Sequence, residues 1–267
     1  MNAYLSQLLR DGCVMKKKTV AIIQARMGST RFPGKSMKFI GKWSVVELVL
    51  KRVKQSTRVD QVILATTENS DDDVLAQYVS QMGFPVFRGS EEDVLSRFYQ
   101  AAAPYQPDIV VRITGDCPLI SPTLIDQSVN TFEETRVDYL TLLIGEDKTN
   151  AFPRGLDVEV AKFSAISKAK KNATEKYERE HVMPFLYTHP ELFSVYYIKP
   201  EPAYSRPEYR LCVDSPLDYE LMLKISDNFG EQLIETDIEE IIKFLDKNPE
   251  LVKINQTVRQ KHFTETG

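Results

Sequence analysis

Residues 19–38 read T-V-A-I-I-Q-A-R-M-G-S-T-R-F-P-G-K-S-M-K, and this stretch decides the fold. Its first six residues are apolar without alternation, apart from a polar residue at each end, which predicts a strand buried on both faces of a parallel sheet. A Gly/Ser loop rich in cations follows directly. Because open α/β sheets bind ligands at the carboxyl ends of their strands, we expect this loop to lie at the binding edge.

The loop carries the residue types that polyphosphate binding requires. Gly28 and Ser29 are small enough for backbone N–H groups to approach an anion, and long cationic side chains can neutralise it. These cations are Arg26, Arg31, Lys35 and Lys38. The loop is not a Walker A motif, which has four residues between its glycines, because five separate Gly28 from Gly34 here. An ordinary basic surface loop is the alternative interpretation.

Strand and helix patterns alternate along the following residues. Apolar runs at 61–66, 84–87 and 108–114 predict strands, and the segments before and between them show apolar residues at helical spacing. This alternation predicts a doubly wound α/β sheet, whose right-handed crossovers bring the loop and Asp116 to one edge. Further along the chain we predict strands at 137–142, 155–160 and 209–213, and a helix over 175–189 interrupted at Pro184.

Two aspartates follow apolar runs and precede helices that begin near a proline. They are Asp116, in V-R-I-T-G-D-C-P, and Asp214, in R-L-C-V-D-S-P. Both carboxylates should therefore stand at the carboxyl edge of the sheet. Magnesium bound with a nucleotide takes one or two carboxylates and fills its other positions with phosphate oxygens and water. Helix capping is the alternative role for each aspartate alone.

Composition limits the class of protein. The 267 residues carry a net charge of −4 and give a pI of about 5.6, which argues against nucleic-acid binding. We find no apolar run long enough to span a membrane and no signal peptide. Three cysteines without C-x-x-C spacing are typical of a reducing cytoplasm, so we expect a cytoplasmic protein. We assign residues 18–258 to one domain, 1–17 to a peripheral extension and 259–267 to a tail.

The loop sequence A-R-M-G-S-T-R-F-P-G-K resembles the signature of the cytidylyltransferases that activate sugar acids. These form the CMP-Kdo and CMP-sialate synthetase superfamily, and residues 18–258 are most similar to its SpsF-like branch, the spore coat polysaccharide biosynthesis protein SpsF family. The resemblance implies a Rossmann-like, GT-A-like nucleotide-diphospho-sugar transferase fold with a mostly parallel central sheet and helices on both faces. It also implies an excursion at about 145–200 for substrate and dimer contacts, a homodimer, and a role in surface polysaccharide synthesis.

The resemblance implies the reaction and its residues. An acceptor hydroxyl attacks the α-phosphorus of CTP and pyrophosphate leaves, with Mg²⁺ held by Asp116 and Asp214, and with Arg31 and Lys35 as further catalytic residues on the triphosphate. The implied nucleotide-binding residues are Ala25, Arg26, Gly28, Ser29, Arg31, Lys35, Arg97, Thr114 and Asp116. Arg97 could instead be a solvated or salt-bridged arginine. A metal-bound hydroxide or the Asp214 carboxylate could take the hydroxyl proton.

Two further segments carry a strong likeness to the SpsF-like branch. They are G-L-D-V-E-V at 155–160 and Y-E-R-E-H-V at 177–182. Their charged side chains form a mixed-charge set able to bind a small acidic, sugar-like acceptor, and the candidates are Asp157, Glu159, Arg179 and His181, with Glu180 beside them. A buried ion network at a dimer interface is the alternative, and a histidine such as His181 is more often structural than catalytic.

Two other functions compete with nucleotidyl transfer. A GT-A-type glycosyltransferase, which consumes a nucleotide sugar, usually places its metal on a D-x-D motif, and Asp116-Cys117-Pro118 lacks one. A nucleotide-binding protein without turnover is the second alternative. The complete set of Arg31, Lys35, Asp116 and Asp214 argues against such a loss of activity.

Overall fold

The computed structural model describes residues 16–142 and 151–260. Cys13, most of the 1–17 extension, part of the 145–200 excursion and most of the 259–267 tail lie outside these residues. In the two stretches that are described, no helix combines the length and the apolar character needed to cross a membrane.

The centre of the fold is a mostly parallel sheet, as predicted. The described residues form nine strands, β1 (Thr19–Gln24), β2 (Phe39–Ile40), β3 (Trp43–Ser44), β4 (Gln61–Thr67), β5 (Val86–Gly89), β6 (Ile109–Thr114), β7 (Tyr139–Leu142), β8 (Glu159–Lys162) and β9 (Val195–Ile198). Seven of them make one sheet in the order β5-β4-β1-β6-β8-β7-β9, while β2 and β3 pair separately. Among these seven, β8 alone runs antiparallel to its neighbours.

Helices cover both faces of this sheet. They are α1 (Val45–Lys54), α2 (Asp73–Gln81), α3 (Val94–Ala102), α4 (Pro122–Thr135), α5 (Phe163–Asn172), α6 (Lys176–His181), α7 (Pro184–Thr188), α8 (Pro216–Phe229), α9 (Ile238–Lys247) and α10 (Pro249–Val252). Successive side chains of a strand point to opposite faces. Ile23 of β1 accordingly belongs to a hydrophobic cluster that includes residues of α1, α4 and α9, and Ile22 to a second cluster that includes residues of α3 and α5. The doubly wound arrangement is confirmed.

Two predicted elements near the second half of the sheet differ in detail, and a third is as predicted. Strand β8 begins at Glu159 rather than at Gly155, because Gly155 N donates to the Asp157 side chain in a turn. Residues 209–213 form no strand, since their pairing in the described chain is one isolated bridge between Arg154 and Arg210. The interruption predicted near Pro184 is confirmed, because α6 ends before it and α7 begins on it.

The buried side chain of Arg52, on α1, hydrogen-bonds to the backbone of two other segments. Arg52 is 1% exposed, and its guanidinium donates to the carbonyl oxygens of Ile120 (2.7 Å), Leu233 (2.8 Å), Ile234 (3.2 Å) and Thr236 (3.1 Å). Burial lowers the pKa of Arg52 to about 10. The side chain therefore supplies donors to carbonyl groups that follow β6 and precede α9.

Replacing Arg52 with methionine should lower the free energy of unfolding by about 3–5 kcal/mol, because several buried carbonyl groups lose their donor. The corresponding fall in Tm is roughly 10 °C for a chain of this size, measured by thermal unfolding. Lys54→Met changes an exposed cation of the same helix and should move Tm by about 2 °C or less. Equal shifts in the two variants would contradict a structural role for the Arg52 hydrogen bonds.

Candidate active site

Lys35 connects the two aspartates that the sequence predicts as metal ligands. Its Nζ lies 2.8 Å from Asp116 Oδ2 and 2.6 Å from Asp214 Oδ1. The three side chains are only 14%, 23% and 11% exposed, respectively. The cationic loop and both aspartates thus meet at one point beyond the carboxyl ends of β1 and β6.

The charges of this group stabilise one another. Burial alone would lower the pKa of Lys35, but the charges of Asp116 and Asp214 outweigh it and raise that pKa above its ordinary value. Burial would likewise raise the pKa of Asp116, yet the Lys35 ammonium holds it well below its usual range. Lys35 and Asp116 therefore both remain charged at neutral pH.

Asp116 is placed by a close approach of two backbone segments. Gly115 N donates to Gln24 O (2.7 Å), which continues the pairing of β6 with β1 by one residue. A Cβ atom at Gly115 would lie 2.5 Å from the Ala25 Cβ, so only glycine fits there. Asp116 O accepts a hydrogen bond from Val213 N at 2.7 Å, and this bond brings the segment that ends at Asp214 next to Asp116.

Asp214 is held by a buried network that the sequence analysis did not identify. Arg210 donates from Nη2 to Asp214 Oδ2 (2.9 Å) and from Nε to Asp218 Oδ1 (2.8 Å). Asp218 Oδ2 accepts from the backbone N–H groups of Asp214 (3.0 Å) and Ser215 (2.9 Å). Asn255 Nδ2 donates to Asp218 Oδ1 at 2.9 Å. The network holds the Asp214 carboxylate through Oδ2, the oxygen that Lys35 does not contact.

Arg31 completes the set of cations around Asp214. Its Nη2 lies 3.0 Å from Asp214 Oδ2, and its side chain is 32% exposed. Arg31 and Lys35 both belong to the loop, whereas Arg210 lies outside the loop and is buried. The two loop cations can therefore turn to a phosphate while Arg210 keeps the carboxylate in place.

The loop itself is folded around the backbone of Met27. Met27 O accepts from Ser29 N (2.8 Å) and Gly34 N (3.2 Å), and Met27 N donates to Asp72 Oδ1 (2.6 Å). Gly34 adopts a left-handed conformation, φ 67°, which glycine adopts without strain. The Ser29 N–H is thus already used within the loop, and an anion would have to displace Met27 O to reach it. A Cβ at the exposed Gly28 would touch nothing, which leaves room for a ligand.

A cavity of about 600 Å³ opens beside the start of the loop, between β1, the N-terminus of α3, and α6. Side chains of both charges line it, among them Arg26, Asp93, Arg97, Arg179, Glu180 and His181. The cavity thus brings Arg26 and Arg97, predicted to bind the nucleotide, together with Arg179 and His181, predicted to bind the substrate. Arg179 Nη1 lies 2.7 Å from Asp93 Oδ2, and this ion pair joins α6 to the residue that caps α3.

Arg97 is neither solvated nor salt-bridged within the described chain. It is 2% exposed, and its Nη1 donates to Ser90 O at 2.5 Å. Its Nε is screened from solvent and has no hydrogen-bond partner among the described residues. Burial, reinforced by the charge of Arg26, lowers the pKa of Arg97 to about 10. Arg97 therefore has a buried side chain with one unpartnered donor beside the cavity, and its role in nucleotide binding stays a prediction.

Asp157 and Glu159 do not line this cavity. Glu159 pairs with Arg112 across β6 and β8 and accepts from the Tyr139 hydroxyl at 2.6 Å. Arg112 also donates to Gln24 Oε1 at 3.3 Å. Burial raises the pKa of Asp157 above its ordinary value. The predicted second cluster therefore divides into a buried ion network on the sheet and a set of cavity residues on α6.

Magnesium, which the family resemblance implies, is compatible with the donors present. Among residues 16–142 and 151–260, no group of three or more His, Cys, Asp or Glu side chains could hold a metal ion alone. Asp116 and Asp214 nevertheless converge on the single Lys35 ammonium. Two convergent carboxylates are what Mg²⁺ uses when phosphate oxygens and water supply the other ligands. Thr114 lies just behind them, with its Oγ1 3.0 Å from Cys117 Sγ.

The chain is similar in sequence and in fold to several known proteins. Protein MJ1063 of Methanocaldococcus jannaschii is 43% identical over 248 residues, which is 93% of this chain and 98% of that protein. The spore coat polysaccharide biosynthesis protein SpsF of Bacillus subtilis is 34% identical over 234 residues, or 86% of this chain and 94% of SpsF. A cytidylyltransferase structure from Leptospira borgpetersenii superposes with a TM-score of 0.81 at 33% identity, covering 92% of this chain and 100% of that one.

The family match spans the sheet, the loop and both aspartates. The sequence model described as cytidylyltransferase matches residues 20–261, and the similar Leptospira structure bears out the predicted Rossmann-like fold. The chain therefore belongs to the cytidylyltransferase family.

Proposed function

We propose that this protein transfers CMP from CTP to a hydroxyl group of a sugar acid or a related acceptor, with release of pyrophosphate. Family membership supports the nucleotide and the group transferred. One observation carries the proposal to this chain's own residues, namely the contact of Lys35 with both Asp116 and Asp214. This contact supports the proposal because it joins a loop cation, which we assign to the triphosphate, to the two carboxylates, which we assign to its metal.

The proposed reaction makes one bond to phosphorus and breaks another. The acceptor oxygen bonds to the α-phosphorus while the bond from that phosphorus to the oxygen bridging to the β-phosphate breaks. Negative charge then increases on the α-phosphate oxygens and on the leaving pyrophosphate. Arg31 and Lys35 are the loop cations nearest the two carboxylates, and we assign them the neutralisation of this charge.

We assign Asp116 and Asp214 to Mg²⁺, which when bound neutralises phosphate oxygens and orients the leaving group. Asp214 contacts three cationic side chains, Arg31, Lys35 and Arg210. The acceptor's hydroxyl proton goes to a base, for which the Asp214 carboxylate is the alternative assignment.

The acceptor and the biological role rest on similarity. The Bacillus subtilis relative is named for spore coat polysaccharide synthesis, which supports a role in surface glycan assembly. The likeness to CMP-Kdo and CMP-sialate synthetases supports a small acidic, sugar-like acceptor. The homodimer and the cytoplasmic location stay predictions.

Pyrophosphate release tests the proposal. The assay combines Mg²⁺ with CTP, UTP, ATP or GTP and with a panel of 2-keto sugar acids and sugar phosphates. We expect turnover with CTP and an acidic acceptor, and none with the other nucleotides. Turnover with UTP and a sugar phosphate would contradict the proposed reaction. Tight CTP binding without turnover on any acceptor would favour a nucleotide-binding protein instead.

A further inference from the structure

Two buried polar atoms of the cavity beside the loop have no hydrogen-bond partner among the described residues. One is Glu180 Oε2, an acceptor, and the other is Arg97 Nε, a donor. Both side chains line the same cavity of about 600 Å³. Buried polar groups are normally hydrogen-bonded, because burying one without a partner is unfavourable. A ligand that offers both a donor and an acceptor would satisfy the pair.

The position of the cavity indicates which part of a nucleotide would occupy it. Gln24 and Arg26, which begin the cationic loop, line the cavity. The loop then continues to Arg31 and Lys35, which contact the aspartates. A nucleotide with its phosphates on these cations would extend its other end toward Arg26 and the cavity, which is large enough for a nucleoside.

The two walls of the cavity are held together by an ion pair. Glu180 and Arg179 are neighbours on α6, and Arg179 Nη1 lies 2.7 Å from Asp93 Oδ2. Asp93 also accepts from Ser96 N (2.9 Å) and so caps α3, the helix that carries Arg97. The unpartnered donor and acceptor therefore sit on two helices that are linked at the cavity itself, which favours a fixed rather than an adaptable recognition surface.

We propose that Glu180 distinguishes the base of the bound nucleotide, with its Oε2 accepting from the 4-amino group of cytosine while Arg97 Nε donates to the 2-oxo group. This inference rests on the function proposed above and adds the residue that selects CTP. Uracil carries an oxygen at position 4, which would face the Glu180 oxygen as a second acceptor. The 2-oxo group is common to both bases, so Arg97 contributes affinity without discriminating between them.

The test measures binding of CTP and of UTP by calorimetry with Mg²⁺ and without acceptor, so that it does not depend on turnover. The wild-type protein should bind CTP roughly 10- to 100-fold more tightly than UTP, the range expected for one hydrogen bond to a charged group. In Glu180→Gln the side-chain amide can donate to the uracil oxygen, so the ratio should fall to near one, partly through tighter UTP binding. A gain in UTP binding cannot come from misfolding. Arg97→Lys should weaken both nucleotides and preserve the ratio.

Glu191→Gln is the matched control, because it makes the same charge change on an exposed residue that does not line the cavity and should leave the ratio unchanged. An unaltered ratio in Glu180→Gln, or equal weakening of both nucleotides, would overturn the inference. In the pyrophosphate-release assay, a Glu180→Gln effect confined to the KM of the acceptor would also overturn it, because it would assign Glu180 to acceptor binding. A ratio that responds to Glu180 in a protein without pyrophosphate release would defeat the proposed reaction but not this inference.

Discussion

Asp214→Asn should reduce CTP-dependent pyrophosphate release by roughly 10³-fold while the protein remains folded. Asparagine has nearly the same shape as aspartate but lacks the negative charge that faces Arg31, Lys35 and Arg210. Loss of that charge removes a proposed metal ligand and leaves three cations unbalanced. Asp116→Asn should cause a loss of similar size, since its carboxylate contacts the same ammonium.

Asp227→Asn provides the control for this prediction. Asp227 is exposed on α8, the helix that begins two residues after Asp214, so its variant should retain the wild-type kcat. Thermal unfolding of each variant separates a loss of chemistry from a loss of structure. If folded Asp214→Asn kept more than about a tenth of the wild-type kcat, Asp214 would not be the metal ligand and charge-bearing group proposed here.

The part of the site that follows the first strand could be predicted from local pattern alone. The apolar residues of the first strand are followed directly by the cationic loop. The apolar residues of the strand before Asp116 are followed by Gly115 and then by Asp116 itself. Both features depend on neighbours in the chain. Parallel strands then bring their carboxyl ends to one edge, so the contact of Lys35 with Asp116 follows from the order of elements.

Asp214 was predicted at the correct place for a partly incorrect reason. An apolar run followed by aspartate indicates an extended segment, but it does not reveal whether a neighbouring strand is available for pairing. Residues 209–213 lie beside Arg154 and Asp116 rather than in the sheet. The network that holds Asp214 is only weakly visible in the sequence: Ser215 and Asp218 have the spacing of a capping box, which predicts a helix start there. No local pattern connects Arg210 to Asn255, which lies 45 residues later.

The second cluster shows a different limit of sequence patterns. Glu159 and Arg179 are both charged residues in segments similar to the same family branch, yet one pairs with Arg112 on the sheet and the other with Asp93, which caps α3. Charge and spacing indicate that such residues need partners. They do not indicate which partner the fold will supply, because that choice depends on contacts between distant segments.

Lys35→Met should change activity and metal binding in opposite directions. The Lys35 ammonium contacts one oxygen of each carboxylate that we assign to Mg²⁺, so the ammonium and a divalent ion compete for the same oxygens. Its removal leaves two like charges facing each other and should increase the affinity of the nucleotide-free protein for Mn²⁺, measured by electron paramagnetic resonance. The same change should lower kcat by roughly 10²-fold or more, because a cation on the triphosphate is lost.

The competition also predicts how nucleotide and metal binding are linked. In the wild-type protein, CTP that draws Lys35 onto its phosphates frees Asp116 and Asp214, so CTP should strengthen Mn²⁺ binding and Mn²⁺ should strengthen CTP binding by the same factor. In Lys35→Met this mutual strengthening of CTP and Mn²⁺ binding should be smaller, because no Lys35 ammonium occupies the carboxylates before CTP binds. Lys247→Met, which alters an exposed lysine of α9, should keep the wild-type factor. Weaker Mn²⁺ binding by nucleotide-free Lys35→Met would mean that the two aspartates do not form a joint metal site.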